Sequence, residues 1–216
     1  MDILFPKLHK EGYRFLTIAT VITLILFLLI SSFLGIISFI LTIWVYYFFR
    51  DPERFSINDE NYLVSPADGI ISQITEINGP IELGLEDKKF TRVSIFMNVF
   101  NCHVNRIPSS GKINKIFYKT GKYINASLDK ASEENERNYV KMSNSKGDEL
   151  ILVQIAGLIA RRIVCEIKEN DEIKQGDRFG MIRFGSRVDL YFENYQLMVQ
   201  QNQTTIGGET IIARKK

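Results

Sequence analysis

The sequence predicts a mainly β domain, an antiparallel barrel or barrel-sandwich hybrid, preceded by an N-terminal hydrophobic α-helical hairpin. The chain has 216 residues, of which 45% are hydrophobic and 24% are charged. The charges are unevenly distributed, because residues 15–49 contain no Asp, Glu, Lys or Arg. Beyond residue 50, turn residues divide the chain into short runs rich in β-branched and aromatic side chains, which is typical of strands. These observations predict a membrane anchor at residues 1–50 and one folded domain at residues 51–216.

The anchor is too long to be one straight membrane span. A single helix over residues 15–49 would be about 52 Å long, whereas the hydrocarbon core of a bilayer is about 30 Å thick. Ser31, Ser32 and Gly35 interrupt the apolar run, so we expect two helices, at about residues 15–30 and 33–49, that form a spanning or re-entrant hairpin. Basic residues flank both ends, which places both ends and the folded domain on the cytoplasmic side of the cell membrane. These flanking residues are Lys7, Lys10, Arg14, Arg50 and Arg54.

The folded domain is predicted to consist of short antiparallel strands joined by tight turns. A polar segment at residues 125–138 interrupts this pattern and is expected to be a short helix or an ordered loop. A loop of this length is often functional, whereas its composition slightly favours a solvated segment without chemistry. The predicted strands are residues 69–77, 90–99, 111–118, 149–155, 163–167 and 188–192.

Composition excludes several classes of function. The formal net charge of +2 and the absence of a long basic run argue against a nucleic-acid partner. Cys102 and Cys165 are the two cysteines of the chain, too few for a disulfide scaffold, and we expect both to be reduced thiols. The sequence contains no C-x-x-C or H-E-x-x-H spacing, so no metal site is expected.

Three short segments contain residues that could carry chemistry. His103 follows an apolar strand and can exchange a proton near neutral pH, although a lone histidine is often structural. Asp68 lies in a Ser-Pro-Ala-Asp-Gly turn, where on its own it is interpreted as a solvated turn residue. In the Gly185-Ser186 dipeptide, the serine hydroxyl could attack the unhindered glycine carbonyl and shift the acyl group from nitrogen to oxygen, but most such dipeptides are ordinary turns.

Taken together, the motifs resemble phosphatidylserine decarboxylase, in the short form related to the archaeal-type enzymes. The resemblance covers nearly all of residues 51–216, and it depends on the order of the motifs, since each is weak alone. The matching segments are FRDPER at 49–54, SPADG at 65–69, NCHVNRIPSSG at 101–111, NA at 125–126, NER at 135–137, QIAG at 154–157 with ARR at 160–162, and RFGMIRFGS at 178–186.

The resemblance implies that the chain is a proenzyme that cleaves itself between Gly185 and Ser186. The products would be a β chain of residues 1–185 and an α chain of residues 186–216. The two chains would form a heterodimer, and the resemblance leaves open whether heterodimers assemble into a higher oligomer. Ser186 would become a covalent pyruvoyl group, the cofactor of the reaction. This group would form a Schiff base with the amine of its membrane phospholipid substrate, phosphatidylserine, and the products would be phosphatidylethanolamine and CO₂.

The resemblance also implies roles for individual residues. Asp68 would orient a base near Ser186 during self-processing, and His103 would donate the proton that replaces the lost carboxylate. Longer members of the family have a second histidine in an H-x-x-H motif, where this chain has Arg106. Either His103 serves both steps, or another group activates Ser186.

Three basic residues are candidates for substrate binding. Arg106, Arg187 and Lys112 lie near the motifs and could bind the lipid phosphate or the substrate carboxylate. Arg187 also replaces the threonine of the G-S-T sequence that is common in the longer members. For each of the three, a solvated surface charge is the alternative interpretation.

Two other functions stay open from the sequence. The first is a pyruvoyl-dependent decarboxylase of another amino acid or lipid, against which the order of the motifs and the anchor both argue. The second is a membrane-tethered, non-enzymatic carrier or adaptor with a barrel-sandwich domain, since lipoyl and phosphotransferase modules share similar turns. Such a carrier needs a modified lysine or a phosphorylated histidine, and we identify no lysine at a lipoyl-type hairpin tip.

Overall fold

The computed structural model describes residues 6–124, 134–157, 162–183 and 186–216. The chain divides into two compact units, Met1–Glu53 and Arg54–Lys216.

The first unit contains two apolar helices. Helix α1, Tyr13–Ile25, continues into one π-helical segment, Leu26–Ile30, and Ser31 then adopts an extended conformation that ends the first helix. Helix α2, Ser32–Phe48, follows immediately. By length and composition, Lys10–Ile30 is long and apolar enough to cross a membrane, whereas α2 is shorter.

Strands β1, Lys7–Leu8, and β2, Arg50–Asp51, pair antiparallel within the same unit. The two helices pack closely because Gly35 has no side chain, and a Cβ atom there would lie 2.3 Å from the Phe27 ring. The Thr23 hydroxyl lies 2.8 Å from the Ser38 hydroxyl and 2.9 Å from the Thr42 hydroxyl, so the polar groups of the helices satisfy one another. Most of the large apolar side chains of the helices are exposed instead, which indicates that this unit associates with a membrane.

The second unit is built from antiparallel strands, which confirms the predicted mainly β fold. Its central feature is an eight-stranded sheet in the order β11-β7-β8-β9-β13-β5-β4-β15, accompanied by two three-stranded sheets, β10-β12-β6 and β14-β16-β3. The strands are β3 Tyr62–Val64, β4 Gly69–Asn78, β5 Lys89–Met97, β6 Val104–Arg106, β7 Gly111–Lys119, β8 Arg137–Asn144, β9 Glu149–Ile155, β10 Arg162–Cys165, β11 Glu172–Ile173, β12 Arg178–Arg183, β13 Ser186–Phe192, β14 Tyr195–Leu197, β15 Thr204–Thr205 and β16 Ile211–Lys215.

The six predicted strands are confirmed as β4, β5, β7, β9, β10 and β13, with ends that differ by two residues or fewer. The predicted polar segment is partly wrong, because its last residues, Arg137 and Asn138, begin β8. Residues 125–133 of that segment lie outside the described residues.

Both faces of the large sheet are covered near its middle strands. On one face, Val188 and Leu190 of β13 contribute to the main hydrophobic core. On the other face, Tyr191 of β13 belongs to a smaller cluster that includes Leu83 and Phe90. Consequently every residue of β13 is buried, although its side chains alternate between the two faces.

Candidate active site

Ser186 is the first residue of β13, a strand that lies between β9 and β5. It pairs with Met97 at the end of β5, and its side chain is fully buried on the face of Val188. Its hydroxyl has no hydrogen-bond partner among the residues that the structure describes. Buried hydroxyls are normally satisfied, but those of Ser94 and Ser109 share this state in the described part of the chain. What distinguishes Ser186 is its place directly after the predicted cleavage bond. Gly185, the other residue of the predicted cleavage site, lies outside the described residues.

His103 lies in the loop between β5 and β6 and is fully buried. Its ring Nδ1 lies 3.0 Å from the carbonyl oxygen of Asn101. Its own carbonyl oxygen accepts a hydrogen bond of 3.3 Å from the amide of Ile182 in β12. Since β12 ends at Arg183, the histidine loop packs against the strand that leads towards Ser186.

Asp68 lies in the turn before β4, and it is not a solvated residue as its turn alone suggests. Its Oδ2 accepts a hydrogen bond of 2.8 Å from Nη2 of Arg54, and its Oδ1 accepts one of 2.7 Å from the amide of Gly207. The solvated interpretation is therefore wrong, since only 14% of the side chain is exposed.

The register of the sheet brings Asp68 and Ser186 to one end. Ser186 pairs with Met97 on one side of β5, and Ile70 of β4 pairs with Phe96 on the other side. With strands about 4.8 Å apart, residues on the two flanking strands lie about 10 Å apart across β5. The loop of His103 begins at this same end of β5, so the fold gathers the three predicted catalytic residues there.

A buried chain of amide side chains, which we call the amide chain, lies beside this end of the sheet. It consists of Asn138 on β8, Gln154 on β9 and Asn105 on β6. The Nδ2 of Asn138 donates to Oε1 of Gln154 at 3.0 Å, and the Nε2 of Gln154 donates to Oδ1 of Asn105 at 2.9 Å. Asn105 then contacts the sulfur of Met97, the residue that pairs with Ser186. The amide chain thus connects three strands to the histidine loop.

The amide chain includes none of the site residues predicted from the sequence. The available signal was Gln154 itself, a polar residue at a core-facing position within residues 150–155 of β9, which are otherwise apolar. Gln154 pairs with Val188, whose side chain lies in the core, and it is fully buried. A polar side chain at such a position requires buried partners, which indicates a network.

Arg187 is buried and paired, so its interpretation as a solvated surface charge is wrong. Only 2% of its side chain is exposed, and 1% of that of Asp189. The guanidinium Nη2 donates to Oδ2 of Asp189 at 3.0 Å, while Nε and Oδ1 lie 2.8 Å apart as an ion pair without hydrogen-bond alignment. Because side chains alternate along β13, this ion pair lies on the sheet face opposite to that of Ser186.

The Asp189 carboxylate also affects a neighbouring phenol on the same face. Burial, reinforced by the charge of Asp189, raises the pKa of Tyr191 to about 12. Tyr191 is therefore neutral at physiological pH. Asp189 is not among the predicted site residues, because an alternating polar pattern in a strand usually marks a solvated face.

Arg106 and Lys112 have different environments. Arg106 is 4% exposed, and its Nη1 donates to the carbonyl oxygen of Gly176 at 2.8 Å, so a solvated surface charge is again wrong. Lys112 is exposed, as that interpretation expects.

Lys112 lies at the opposite end of the sheet from Ser186. It pairs with Ser143 of β8, which pairs with Glu149 at the start of β9, whereas the residue after Ser186 pairs with Ile155 at the end of β9. The length of β9 separates the two positions by about 20 Å. Lys112 lines an open groove of about 630 Å³ there, so the fold does not bring it to Ser186.

Comparison with known proteins identifies a single family. The family model described as phosphatidylserine decarboxylase matches residues 41–213. The phosphatidylserine decarboxylase proenzyme of Pelagibacter ubique (strain HTCC1062) is 64% identical over 215 residues, which cover 100% of both chains. The proenzymes of the same name from Rickettsia typhi (strain ATCC VR-144 / Wilmington) and Ruegeria pomeroyi (strain ATCC 700808 / DSM 15171 / DSS-3) are 54% and 53% identical. The alignment with the Rickettsia typhi protein covers 99% of this chain and 94% of that protein. The alignment with the Ruegeria pomeroyi protein covers 98% of this chain and 97% of that protein.

Proposed function

This chain belongs to the phosphatidylserine decarboxylase family, and from that premise we propose that it cleaves itself between Gly185 and Ser186 and then decarboxylates phosphatidylserine. The products are phosphatidylethanolamine and CO₂. The buried Ser186 hydroxyl, without a hydrogen-bond partner among the described residues, carries the proposal. Because Ser186 directly follows the Gly185 carbonyl, this hydroxyl is available to attack its own backbone.

Self-cleavage converts Ser186 in three balanced steps. The Ser186 oxygen adds to the Gly185 carbonyl, the amide C–N bond breaks, and an ester replaces the amide. β-Elimination removes the α-proton of residue 186 and releases Gly185 as a carboxylate. Water then adds to the resulting dehydroalanine, ammonia leaves, and residue 186 becomes a pyruvoyl group.

His103 moves the protons in this proposal. Its imidazole accepts the hydroxyl proton of Ser186 during processing and later donates a proton to the substrate α-carbon after CO₂ has left. Asp68, held by Arg54 and the Gly207 amide, orients the base. Arg106 occupies the place of the second family histidine, but a guanidinium is always protonated and cannot act as a base. This supports the alternative in which His103 serves both steps.

A pyruvoyl group at position 186 would supply an electrophilic ketone, which would serve as the electron sink of a decarboxylation. The position fits such a group because it is fully buried, which limits access of water. The backbone pairing of residue 186 with Met97 would hold the new N-terminus in place.

The two products of cleavage would stay together as a heterodimer. Residues 186–216 supply β13, which lies between β9 and β5, and they supply β15, which pairs with β4. At the other end, Nζ of Lys215 lies 2.6 Å from the carboxylate of Asp148, across the two prospective chains. The domain would lie on the cytoplasmic side of the cell membrane, as the basic residues that flank the apolar helices predict.

The proposal is tested by a pair of serine substitutions. Ser186→Ala is expected to remain one chain near 24.9 kDa and to release no CO₂ from phosphatidylserine. Ser94→Ala is the matched control, because Ser94 is equally buried on β5 and its hydroxyl also has no hydrogen-bond partner in the described part of the chain. It should be cut and active. Processed, active Ser186→Ala protein would end the proposal.

Two further measurements separate the proposed chemistry from the alternatives. Intact mass before and after treatment with a hydrazine should reveal a ketone on residues 186–216 of the wild-type protein. His103→Ala should abolish CO₂ release, and normal turnover in that variant would remove its catalytic role. An uncut wild-type chain would favour the carrier or adaptor, whereas CO₂ release from free amino acids alone would favour a decarboxylase of another substrate.

A further inference from the structure

The turn between β5 and β6 presents an aromatic side chain to solvent. Phe100 is 64% exposed, and it lies between Met97, which pairs with Ser186, and His103. Hydrogen bonds close the turn: the amide of Asn98 donates to Oδ1 of Asn101 at 2.9 Å, and the amide of Phe100 donates to Oδ1 of Asn98 at 2.8 Å. The amide of Asn101 also donates to the carbonyl oxygen of Asn98 at 3.1 Å. The turn therefore holds Phe100 outward in a defined backbone conformation.

Other exposed apolar side chains lie at the same end of the domain. Ile70 is 41% exposed at the start of β4, and Ile206 is 40% exposed directly after β15. Both are near Asp68 in the fold, because Ile70 follows it by two residues and the amide of Gly207 binds its carboxylate. We call Ile70, Phe100 and Ile206 the apolar rim. A single exposed apolar residue is ordinary, but three at the end that contains the candidate active site indicate a contact surface.

We propose that the apolar rim is a lipid-contacting surface, with Phe100 entering the outer acyl region of the bilayer. This inference rests on the proposed function, since the substrate of that reaction is a membrane lipid. The reactive amine and carboxylate of phosphatidylserine lie in the headgroup layer of the bilayer, so the candidate active site has to be positioned at the depth of that layer. An aromatic side chain at the edge of the site is suited to the boundary between headgroups and acyl chains.

The dimensions of the turn agree with this role. His103 follows Phe100 by three residues, so their Cα atoms are at most about 10 Å apart. The headgroup layer of one leaflet is about 5–8 Å thick, from the difference between the full bilayer and its hydrocarbon core. A Phe100 ring at the acyl boundary therefore places His103 at about the depth of the lipid headgroup.

Substitution by serine tests the proposal, with Ile81 as the matched control. Ile81 is 70% exposed, and it lies in the segment between β4 and β5. That segment covers the sheet face opposite to Ser186, and the neighbouring Glu82 pairs with Lys119 on β7, four strands away from β5 in the sheet. Full-length Phe100→Ser and Ile81→Ser proteins are reconstituted in phosphatidylcholine vesicles that contain phosphatidylserine. CO₂ release is measured with this vesicle substrate and with water-soluble dihexanoyl phosphatidylserine below its micelle concentration.

We expect Phe100→Ser to lower turnover of the vesicle substrate about tenfold, from the loss of one buried aromatic contact with lipid. Self-cleavage and turnover of the soluble substrate should be retained, and Ile81→Ser should match the wild type throughout. Equal loss on both substrates, or full activity on vesicles, would overturn the proposal.

A spectroscopic measurement decides the same question without catalysis. Trp44 is the single tryptophan, so the Trp44→Phe protein provides a silent background. In that background, the fluorescence of Phe100→Trp should be quenched by lipids with brominated acyl chains, and that of Ile81→Trp should not. Equal quenching of the two, or none at position 100, would refute lipid contact by the rim. Failure of the wild type to release CO₂ from either substrate would instead refute the proposed function.

Discussion

Replacing Gln154 with leucine is expected to loosen the candidate active site without abolishing the fold. Leucine is similar in size, but it cannot accept the hydrogen bond from Asn138 or donate one to Asn105. Both partners are nearly inaccessible to solvent, so each would be left unsatisfied at a cost of about 1–3 kcal/mol. The free energy of unfolding should therefore fall by about 2–6 kcal/mol, compared with a typical total of about 5–15 kcal/mol.

Stability and processing have to be measured separately for this variant. Urea unfolding is carried out in the Ser186→Ala background, where the chain should stay uncut, and self-cleavage is followed over time in the chain that keeps Ser186. Gln154→Leu should lower the midpoint of unfolding and also slow cleavage, because the amide chain holds Asn105 in the strand that follows the histidine loop.

Asn144→Leu is the matched control for that experiment. Asn144 is buried at the other end of β8, where its amide donates to Asp148 and Tyr195. We expect a similar loss of stability and an unchanged rate of cleavage. If Asn144→Leu slows cleavage as much as Gln154→Leu, general destabilisation accounts for the effect and the positioning role is refuted.

Three further predictions concern charged groups. Asp189→Asn should lower the free energy of unfolding by about 3–5 kcal/mol in urea, since the Arg187 guanidinium would be buried without its counter-ion; an unchanged midpoint would contradict this. Burial alone would raise the pKa of Asp148, but hydrogen bonds from Lys215, Asn144 and Tyr195 hold this pKa below its usual value. The ionised Asp148 carboxylate therefore stabilises the folded state fully when the pH is above the pKa of an unfolded aspartate, about 3.9. This stabilisation is lost as the pH falls through the lower pKa that Asp148 has in the folded state. Melting temperatures between pH 7 and pH 2 should fall less steeply for Asp148→Asn, and parallel curves would argue against the linkage. Lys112→Ala should decarboxylate at the wild-type rate, because it lies far from Ser186; a large loss would restore it as a substrate-binding residue.

The strands were predictable because their signal is local. Runs of β-branched and aromatic residues between turn residues marked β4, β5, β7, β9, β10 and β13. The order of these strands in the sheet was not predictable, since it depends on pairing between segments distant in sequence. Nothing in the run from Ser186 to Phe192 indicates that it pairs with β9 on one side and β5 on the other.

The environment of the charged residues was the main failure of sequence reasoning. Arg187 and Asp189 alternate with apolar residues, which normally marks a solvated face. Here the second face is covered by a cluster that includes Leu83 and Phe90, from a different part of the chain. The burial of the Arg187–Asp189 ion pair depends on this distant cover, and the amide chain joins three different strands, so neither environment could be derived from local patterns.

The central position of β13 has a consequence for biosynthesis. The ribosome makes β4, β5, β7, β8 and β9 before it makes β13, so β5 and β9 each have an unpaired edge until that late segment has emerged. The surroundings of Ser186 are completed by the same event, because its neighbours across the sheet are these two strands. If the chain cleaves itself as proposed, a nascent chain would have no assembled site in which to cut itself, and the order of translation would delay scission until the sheet can hold both pieces.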